Sequence, residues 1–414
     1  MTPIEQLAAR ARDASRVVAT LSTEAKNAVL RDLAGRIDRQ AAAIKAANEA
    51  DLAAARGAGL GDAKLRRLAL SDKGIEQMAA GLRQVADLPD PVGQVTRDYT
   101  VPSGLHVRKV RAPLGVVLMI YEARPNVTVD AFALCFKSGN ACILKGGREA
   151  AGANEALAAM AADALAAGGA PREAITLLTS SDREAMKELL RLDKHIDLAI
   201  PRGGEELIRF VHEHARVPIV LHFHGVCHIF VDESAPQDKA VDVCVTAKTS
   251  APATCNATEC ILVHEAVAPS LLPRLVARYV ADGVEVRGDA AVCRLAPAAR
   301  PADDADWGRE FLDMIVAIKV VPGLDAAIAH INRYGSNHTD AILTENPAHA
   351  RRFQAEVQSS CTMVNASTRF NDGFQLGLGA EIGISTSKIH AYGPMGLEEL
   401  TTQRFVVDGA YQTR

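Results

Sequence analysis

From residue 115 to residue 231, short apolar runs alternate with stretches of helical character. That alternation constrains the chain more than any other feature, because it calls for parallel strands joined by crossover helices. The runs fall at 116–120, 141–144, 175–178, 196–200, 219–221 and 229–231, with Ala-rich segments such as 150–167 between some of them. This is the architecture of a nucleotide-binding domain. The alternation resumes at about 232 and continues past Cys255 to roughly 385, which predicts a second α/β domain. A length of 414 residues suits two or three domains.

The flanks read differently. Residues 1 to about 90 carry helical patterning. Ser22 is placed as an N-cap with Glu24 in the first turn, and Val29, Leu33, Ile37 and Ala41 share one face. Asp87-Leu-Pro-Asp-Pro91 ends this region, since each proline turns its predecessor away from helix. Two extended runs then flank Pro102-Ser103-Gly104, which predicts a hairpin over 93–111. A hairpin ahead of an α/β domain cannot bury itself alone, and its expected partner is another subunit.

Composition excludes several function classes. A net charge of −4 and 4% aromatic residues speak against a nucleic-acid partner. No run approaches the ~18 apolar residues of a membrane helix, so no membrane association is expected. The first fifteen residues include Glu5 and Asp13 and lack an apolar core, unlike a secretory signal. The cysteines at 135, 142, 227, 244, 255, 260, 293 and 361 form no C-x-x-C pair or disulfide framework. They read as reduced thiols of a cytoplasmic protein.

The common dinucleotide fingerprint is absent; the glycines around Gly57 follow a helix rather than a strand. Two other strand ends are candidates. One leads through Lys145, Gly146 and Gly147 to Arg148 and Glu149; the other runs Ile200-Pro-Arg-Gly-Gly204 into a helix start. Ligands of parallel sheets bind at the carboxyl ends of strands, and free N–H groups at a helix start suit a pyrophosphate. The alternative for both is a plain strand-to-helix turn with solvated charges. His222, His224, Cys227 and His228 offer zinc-type ligand atoms. Strand alternation would put the three histidines on one face and Cys227 on the other, and no metal is expected. Cys255 falls on a loop after a helix and before a strand, where a catalytic thiol would have access and backbone donors. The other reading is a small buried residue, which suits Cys260 better.

Together these segments resemble the gamma-glutamyl phosphate reductase family, proline-biosynthesis enzymes within the aldehyde dehydrogenase superfamily. The resemblance spans nearly the whole chain. It is carried by Tyr121-Glu-Ala-Arg-Pro-Asn-Val-Thr-Val-Asp130, Ile200-Pro-Arg-Gly-Gly204, Thr254-Cys-Asn256 and Asn365-Ala-Ser-Thr-Arg-Phe-Asn-Asp-Gly373, with Gly377-Leu-Gly-Ala-Glu-Ile382 and Gly393-Pro-Met-Gly-Leu397 beyond. It implies an α/β, aldehyde dehydrogenase-like fold with two parallel-sheet domains and an oligomerisation arm. The expected limits are 1–92 with 113–228 for an NADP-binding domain, 229–385 for a catalytic domain, and 93–112 with 386–414 for the arm. It further implies NADPH as cofactor, L-glutamyl 5-phosphate as substrate, a homo-oligomer, and an association with glutamate 5-kinase.

The same resemblance assigns roles. Cys255 matches the nucleophile, and Asn126 the side-chain donor of the oxyanion hole. Lys145 and Glu149 fall near the adenosine ribose, with Gly146, Gly147 and Arg148 beside them. Gly203 and Gly204 fall in the pyrophosphate region, and Glu310 matches the carboxylate on the nicotinamide ribose. Arg124, Arg202 and Arg369 are the expected cations for the substrate carboxylate and phosphate. Hydrolytic members of the superfamily carry a general-base glutamate at a position near His222, but here no glutamate lies between 214 and 232. An enzyme that exchanges its acyl group with phosphate needs no such base. The competing readings are another acylating aldehyde dehydrogenase and a non-catalytic dinucleotide- or metal-binding protein.

Overall fold

The computed structural model describes residues 1–414 apart from Ser180, Ser181, His222, Phe223 and the Ala63 side chain. The chain divides into two units, one of Met1–Leu221, Leu378–Gly383 and Met395–Arg414, the other of His222–Gly377 and Ile384–Pro394.

The first unit opens with helices α1 (Pro3–Val18), α2 (Thr23–Arg39), α3 (Ala41–Gly57), α4 (Asp62–Leu68) and α5 (Asp72–Asp87). Hydroxyls of Thr2, Ser22 and Ser71 accept from first-turn N–H groups, so three of these starts are capped from within the sequence. Val29, Leu33 and Ile37 are buried along one face. Ala41 does not continue that face. Gln40 leaves helical geometry at φ −111° and ψ 18°, and Ala41 begins α3.

The expected hairpin follows as β1 (Val95–Thr100) and β2 (His106–Pro113), paired antiparallel. Gly104, at φ +84°, turns its N–H onto the Val101 carbonyl at 2.8 Å. The last strand, β16 (Thr401–Asp408), lies antiparallel on the other side of β2.

Next come β3 (Val116–Tyr121), α6 (Asn126–Lys137), β4 (Ala141–Lys145), α7 (Ala151–Ala167), β5 (Ile175–Leu177), α8 (Arg183–Leu189), β6 (Leu198–Arg202) and α9 (Glu205–His214). The four strands are parallel in the order β5-β4-β3-β6. Every residue of β3 is buried, as a strand covered on both faces requires. Val116, Leu118 and Ile120 pack with Ala8 and Ala11 of α1 and Val211 of α9. The apolar run at 219–221 forms no strand. Ile219 makes an isolated bridge to Ala199, because Pro218 accepts from the Ala199 N–H but has none to return.

The second unit contains β7 (Cys227–Val231), α10 (Gln237–Thr249), β8 (Thr258–His264), α11 (Ala268–Ala281), β9 (Glu285–Gly288), α12 (Ala290–Leu295), β10 (Arg300–Pro301), β11 (Ile315–Val321), α13 (Leu324–Tyr334), β12 (Thr339–Leu343), α14 (Pro347–Glu356) and β13 (Cys361–Val364). Seven parallel strands run in the order β10-β9-β11-β8-β7-β12-β13. Ile229, Val231, Ile261 and Val263 face α10 and α11. Phe230, Cys260 and Leu262 face α13 and α14. A two-stranded ribbon, β14 (Gly383–Ser385) with β15 (Gly393–Met395), follows before β16. Both sheets are parallel α/β layers, as the alternation of the sequence predicts. Among the described residues no helix is long and apolar enough to cross a membrane.

Two buried cations tie the helices to the first sheet's layer. Lys26, 1% exposed, pairs with Asp90 and donates to the Lys137 carbonyl at 3.0 Å. Lys137 donates to the Ala86 carbonyl at 2.9 Å and to Asn27. Lys26→Ala leaves Asp90 without its paired cation and should cost about 3–5 kcal/mol in urea unfolding at pH 7. Removing the exposed Arg31–Asp87 pair should cost less than about 1 kcal/mol.

Candidate active site

In the second unit, Cys255 sits on the loop between α10 and β8, at the amino edge of the sheet. It is half-buried, as are Cys293 and Cys361, whereas the other five cysteines are buried. Cys293 lies within α12 and Cys361 opens β13, so Cys255 is the accessible thiol that a loop presents.

That loop is clasped from several sides. Thr254 Oγ1 donates to the Ala251 carbonyl at 2.7 Å, and Asn256 Nδ2 donates to the Asn371 carbonyl at 3.0 Å. Thr368 Oγ1 donates to the Asn256 carbonyl at 2.7 Å. The Arg369 guanidinium donates to Thr254 Oγ1 at 2.8 Å, to Ser250 Oγ at 3.3 Å and to Asn256 Oδ1. Arg369, expected as a substrate cation, is thus engaged in bracing the Cys255 loop. From β7, the Cys227 thiol donates to the Cys255 carbonyl at 3.2 Å. Gly225 lies so close that a Cβ there would sit 2.0 Å from the same carbonyl oxygen.

Glu310 joins this cluster by accepting the Gly225 N–H at 2.9 Å. Burial raises its pKa, opposed by that hydrogen bond. Behind it, Glu259 binds Lys248 at 2.6 Å and accepts the Leu312 N–H at 3.2 Å. Burial pushes Glu259 up to about 7, against the pull of Lys248.

The expected histidine strand is shorter than its sequence suggests. His222 lies outside the described residues, His224 is exposed, and strand geometry begins at Cys227. The Gly225 and Val226 N–H groups go to the side chains of Glu310 and Ser336 rather than to a neighbouring strand. The predicted alternation therefore does not reach back to His224.

In the first unit the strand order changes direction between β3 and β6, and a ligand crevice of a parallel sheet opens at such a point. The loop after β3 and the segment after β6 meet there. Glu122 accepts the Gly204 N–H at 3.1 Å at the start of α9. Asn126, the first residue of α6, donates its amide to Asp130 Oδ2 at 2.9 Å. Burial raises Asp130 to about 6, with the Asn126 hydrogen bond and the nearby Arg202 opposing.

Beside it, at the carboxyl end of β4, Lys145 is buried and donates to the Gly146 carbonyl at 2.8 Å. Burial lowers its pKa, with Glu149 opposing. Among the described residues no carboxylate ion-pairs with it, so this buried cation fits a ligand's phosphate or hydroxyls. Glu149 accepts the Ala123 N–H at 2.7 Å, next to Gly147. Arg148 and Arg124 are exposed. The first unit thus brings Lys145, Gly146, Gly147 and Glu149 to the 122–126 loop, and Arg202, Gly203 and Gly204 to the same loop. Sequence reasoning did not single out Glu122, Asp130, Gly225, Lys248 or Glu259. Glu122 and Asp130 lie in the same motif stretch as Asn126.

The family model "Aldehyde dehydrogenase family" matches residues 2–292, and the chain belongs to that family, whose members use nicotinamide dinucleotides. Within it, the chain is 54% identical over 414 residues to a protein of Xylella fastidiosa strain M23 named gamma-glutamyl phosphate reductase, spanning 100% of this chain and 97% of that one. A Desulforapulum autotrophicum protein of the same name is 52% identical over 411 residues, 99% and 98% of the two chains. The crystal structure of the gamma-glutamyl phosphate reductase of Thermotoga maritima superposes with a TM-score of 0.98 at 43% identity, covering 100% of both chains.

The close approach of Gly225 is testable on its own. Gly225→Ala forces the Cys255 backbone to move, and should cost about 1–3 kcal/mol by overpacking. Alkylation of Cys255, followed by peptide mass spectrometry, should change in rate in the same variant. Gly204→Ala, whose Cβ would meet nothing nearer than Glu122 at 3.9 Å, should leave both unchanged.

Proposed function

We propose that this chain reduces L-glutamyl 5-phosphate to L-glutamate 5-semialdehyde and phosphate with NADPH, the second step of proline biosynthesis from glutamate. The observation that carries the proposal is the full-length identity of 54% to a gamma-glutamyl phosphate reductase. The half-buried Cys255 on its braced loop, and the lack of a glutamate between 214 and 232, support it.

The Cys255 thiolate attacks the γ-carbonyl carbon of the acyl phosphate, forming a C–S bond and a tetrahedral oxyanion. Asn126 is the proposed side-chain donor to that oxyanion, and the Cys255 N–H the backbone donor. The oxyanion collapses, the carbon–oxygen bond to phosphate breaks, and a thioester on Cys255 remains. When bound, NADPH supplies the hydride that reduces this thioester. The resulting thiohemiacetal expels the Cys255 thiolate and releases the aldehyde. Arg124, Arg202 and Arg369 are proposed for the substrate's anionic groups, and the loop contacts of Arg369 suggest that it also orients the nucleophile.

Lys145 with Gly146, Gly147, Arg148 and Glu149 would hold the adenosine side of the cofactor. Gly203 and Gly204 would hold the pyrophosphate, and Glu310 the nicotinamide ribose. Arg148, exposed at the strand end, is the proposed contact for a 2′-phosphate. A homo-oligomer is proposed through the β1-β2-β16 sheet, where Val95, Tyr99, Phe405 and Val407 stand exposed. A cytoplasmic location and an association with glutamate 5-kinase complete the reading.

The reaction run backwards tests the proposal. With glutamate semialdehyde and NADP in phosphate-free buffer, NADPH should appear in at most a single-turnover burst. Phosphate or arsenate should make it continuous, and Cys255→Ala should abolish both while still binding NADPH. Sustained turnover without phosphate would mean hydrolysis of the thioester, and a different acyl acceptor would mean another acylating dehydrogenase.

Asn126→Ala should lower the maximal rate by ~10²–10³ and leave NADPH affinity nearly unchanged. Asp130→Asn, which still offers Asn126 an acceptor, should retain more activity than Asp130→Ala. Equal rates for the two Asp130 variants would show that the contact does not orient Asn126.

A further inference from the structure

The second unit contains a group of side chains that the reaction does not use. His228 on β7 and Cys260 on β8 are paired neighbours in register, so their side chains share one face of the sheet. His330 of α13 closes over that face, with its Nε2 3.8 Å from Cys260 Sγ. The three are 0%, 1% and 6% exposed. One ligand atom from each lies within 4.8 Å of the others.

The orientation of His228 is the informative observation. Its Nδ1 lies 2.9 Å from Asp340 Oδ1, and its backbone N–H donates to the same oxygen at 2.7 Å. A carboxylate can only accept, so Nδ1 carries a proton and Nε2 is the nitrogen left to face a ligand. Against burial, the hydrogen bond to Asp340 raises the ring pKa to about 10, so an incoming cation takes Nε2 by displacing its proton. That Nε2 is buried and has no hydrogen-bond partner. A buried polar atom left without a partner costs about 1–3 kcal/mol unless something fills its place. A carboxylate holding the far nitrogen of a histidine is also how metal-bound histidines are oriented.

We propose that His228, Cys260 and His330 form a buried site for one thiophilic d10 cation, zinc or cuprous copper, with Asp340 orienting His228. The donor set of one thiolate and two imidazoles suits these ions. With metal–sulfur and metal–nitrogen bonds of about 2.3 and 2.05 Å, a trigonal ion needs a sulfur–nitrogen separation of about 3.8 Å, which Cys260 and His330 already have. Binding displaces the Cys260 thiol proton and the His228 Nε2 proton to solvent, and the bonds form through the thiolate and the freed ring nitrogens. Three ligands complete the shell of cuprous copper, whereas zinc takes a fourth, a water. The ion would pin α13 to β7 and β8, one residue from Cys227, whose thiol supports the Cys255 carbonyl. Its role is structural, in the unit that carries the nucleophile.

The test uses the full chain with Cys255→Ser, which removes the accessible thiol as a rival ligand. Zinc, and anaerobically cuprous copper, are titrated against chromophoric chelators, with stoichiometry read by native mass spectrometry. Cobalt is added as a zinc surrogate whose thiolate charge-transfer band reports Cys260 directly. One equivalent of either ion, bound at least 100-fold more weakly after Cys260→Ala or His330→Gln, is the expected result, and the preferred ion identifies the occupant. A parent chain that binds neither ion and gives no thiolate band overturns the proposal without reference to whether the variants fold. Binding that survives both substitutions overturns it equally.

Discussion

The Cys255 loop has no regular structure of its own, and the organisation of the second unit depends on how it is held. As the proposed nucleophile, Cys255 must be accessible, so it cannot be fixed by burial, and a loop that wanders by 1 Å would lose much of a catalytic advantage. The chain resolves this by fixing the loop's backbone and leaving the thiol half-buried. Gly225 and Cys227 press against the Cys255 carbonyl from β7 and its lead-in, while Thr368, Arg369 and Asn371 grip residues 254 and 256 from the far end of the unit. The sheet serves as the frame on which these two grips are mounted, and the loop lies at its amino edge rather than at its carboxyl end.

The first unit obeys the opposite convention. Its candidate residues stand at the carboxyl ends of β3, β4 and β6, beside the change in strand order. Carboxylates occupy the helix starts here: Glu122 accepts from Gly204 before α9, and Asp51 accepts from Gly152 and Ala153 at the start of α7. Both reflect the attraction of a helix start for negative charge. Lys145 differs in kind, as a buried cation whose only hydrogen bond among the described residues is to a neutral carbonyl.

Arg369 and Glu310 show how one side chain can link separate requirements. The resemblance tied each to a ligand, and each is engaged with the surroundings of Cys255. Arg369 holds residues 250, 254 and 256, and Glu310 holds the N–H of the glycine packed on Cys255. Glu310 in turn follows the Lys248–Glu259 pair, which fixes Leu312 two residues on. The proposed ligand contacts and the position of the Cys255 loop would in this way be coupled within one unit.

The sequence by itself determined the two parallel layers, the helical opening, the hairpin and the loop placement of Cys255. These are local consequences of apolar spacing, caps and turn residues, and each is written in a few neighbouring positions. The motif stretches mark Asn126, Arg202, Cys255 and Arg369, and the glycine pair at a strand end marks Lys145. Tertiary structure alone decided that Gly225 must lack a side chain, because the carbonyl it would strike belongs to residue 255, 30 positions away. It alone decided that His228 turns to Asp340, Cys260 and His330, because register across β7, β8 and β12 sets those neighbours. Pattern along a chain fixes which face a residue takes. Which residues then meet on that face depends on strand order, and strand order is a property of the whole sheet.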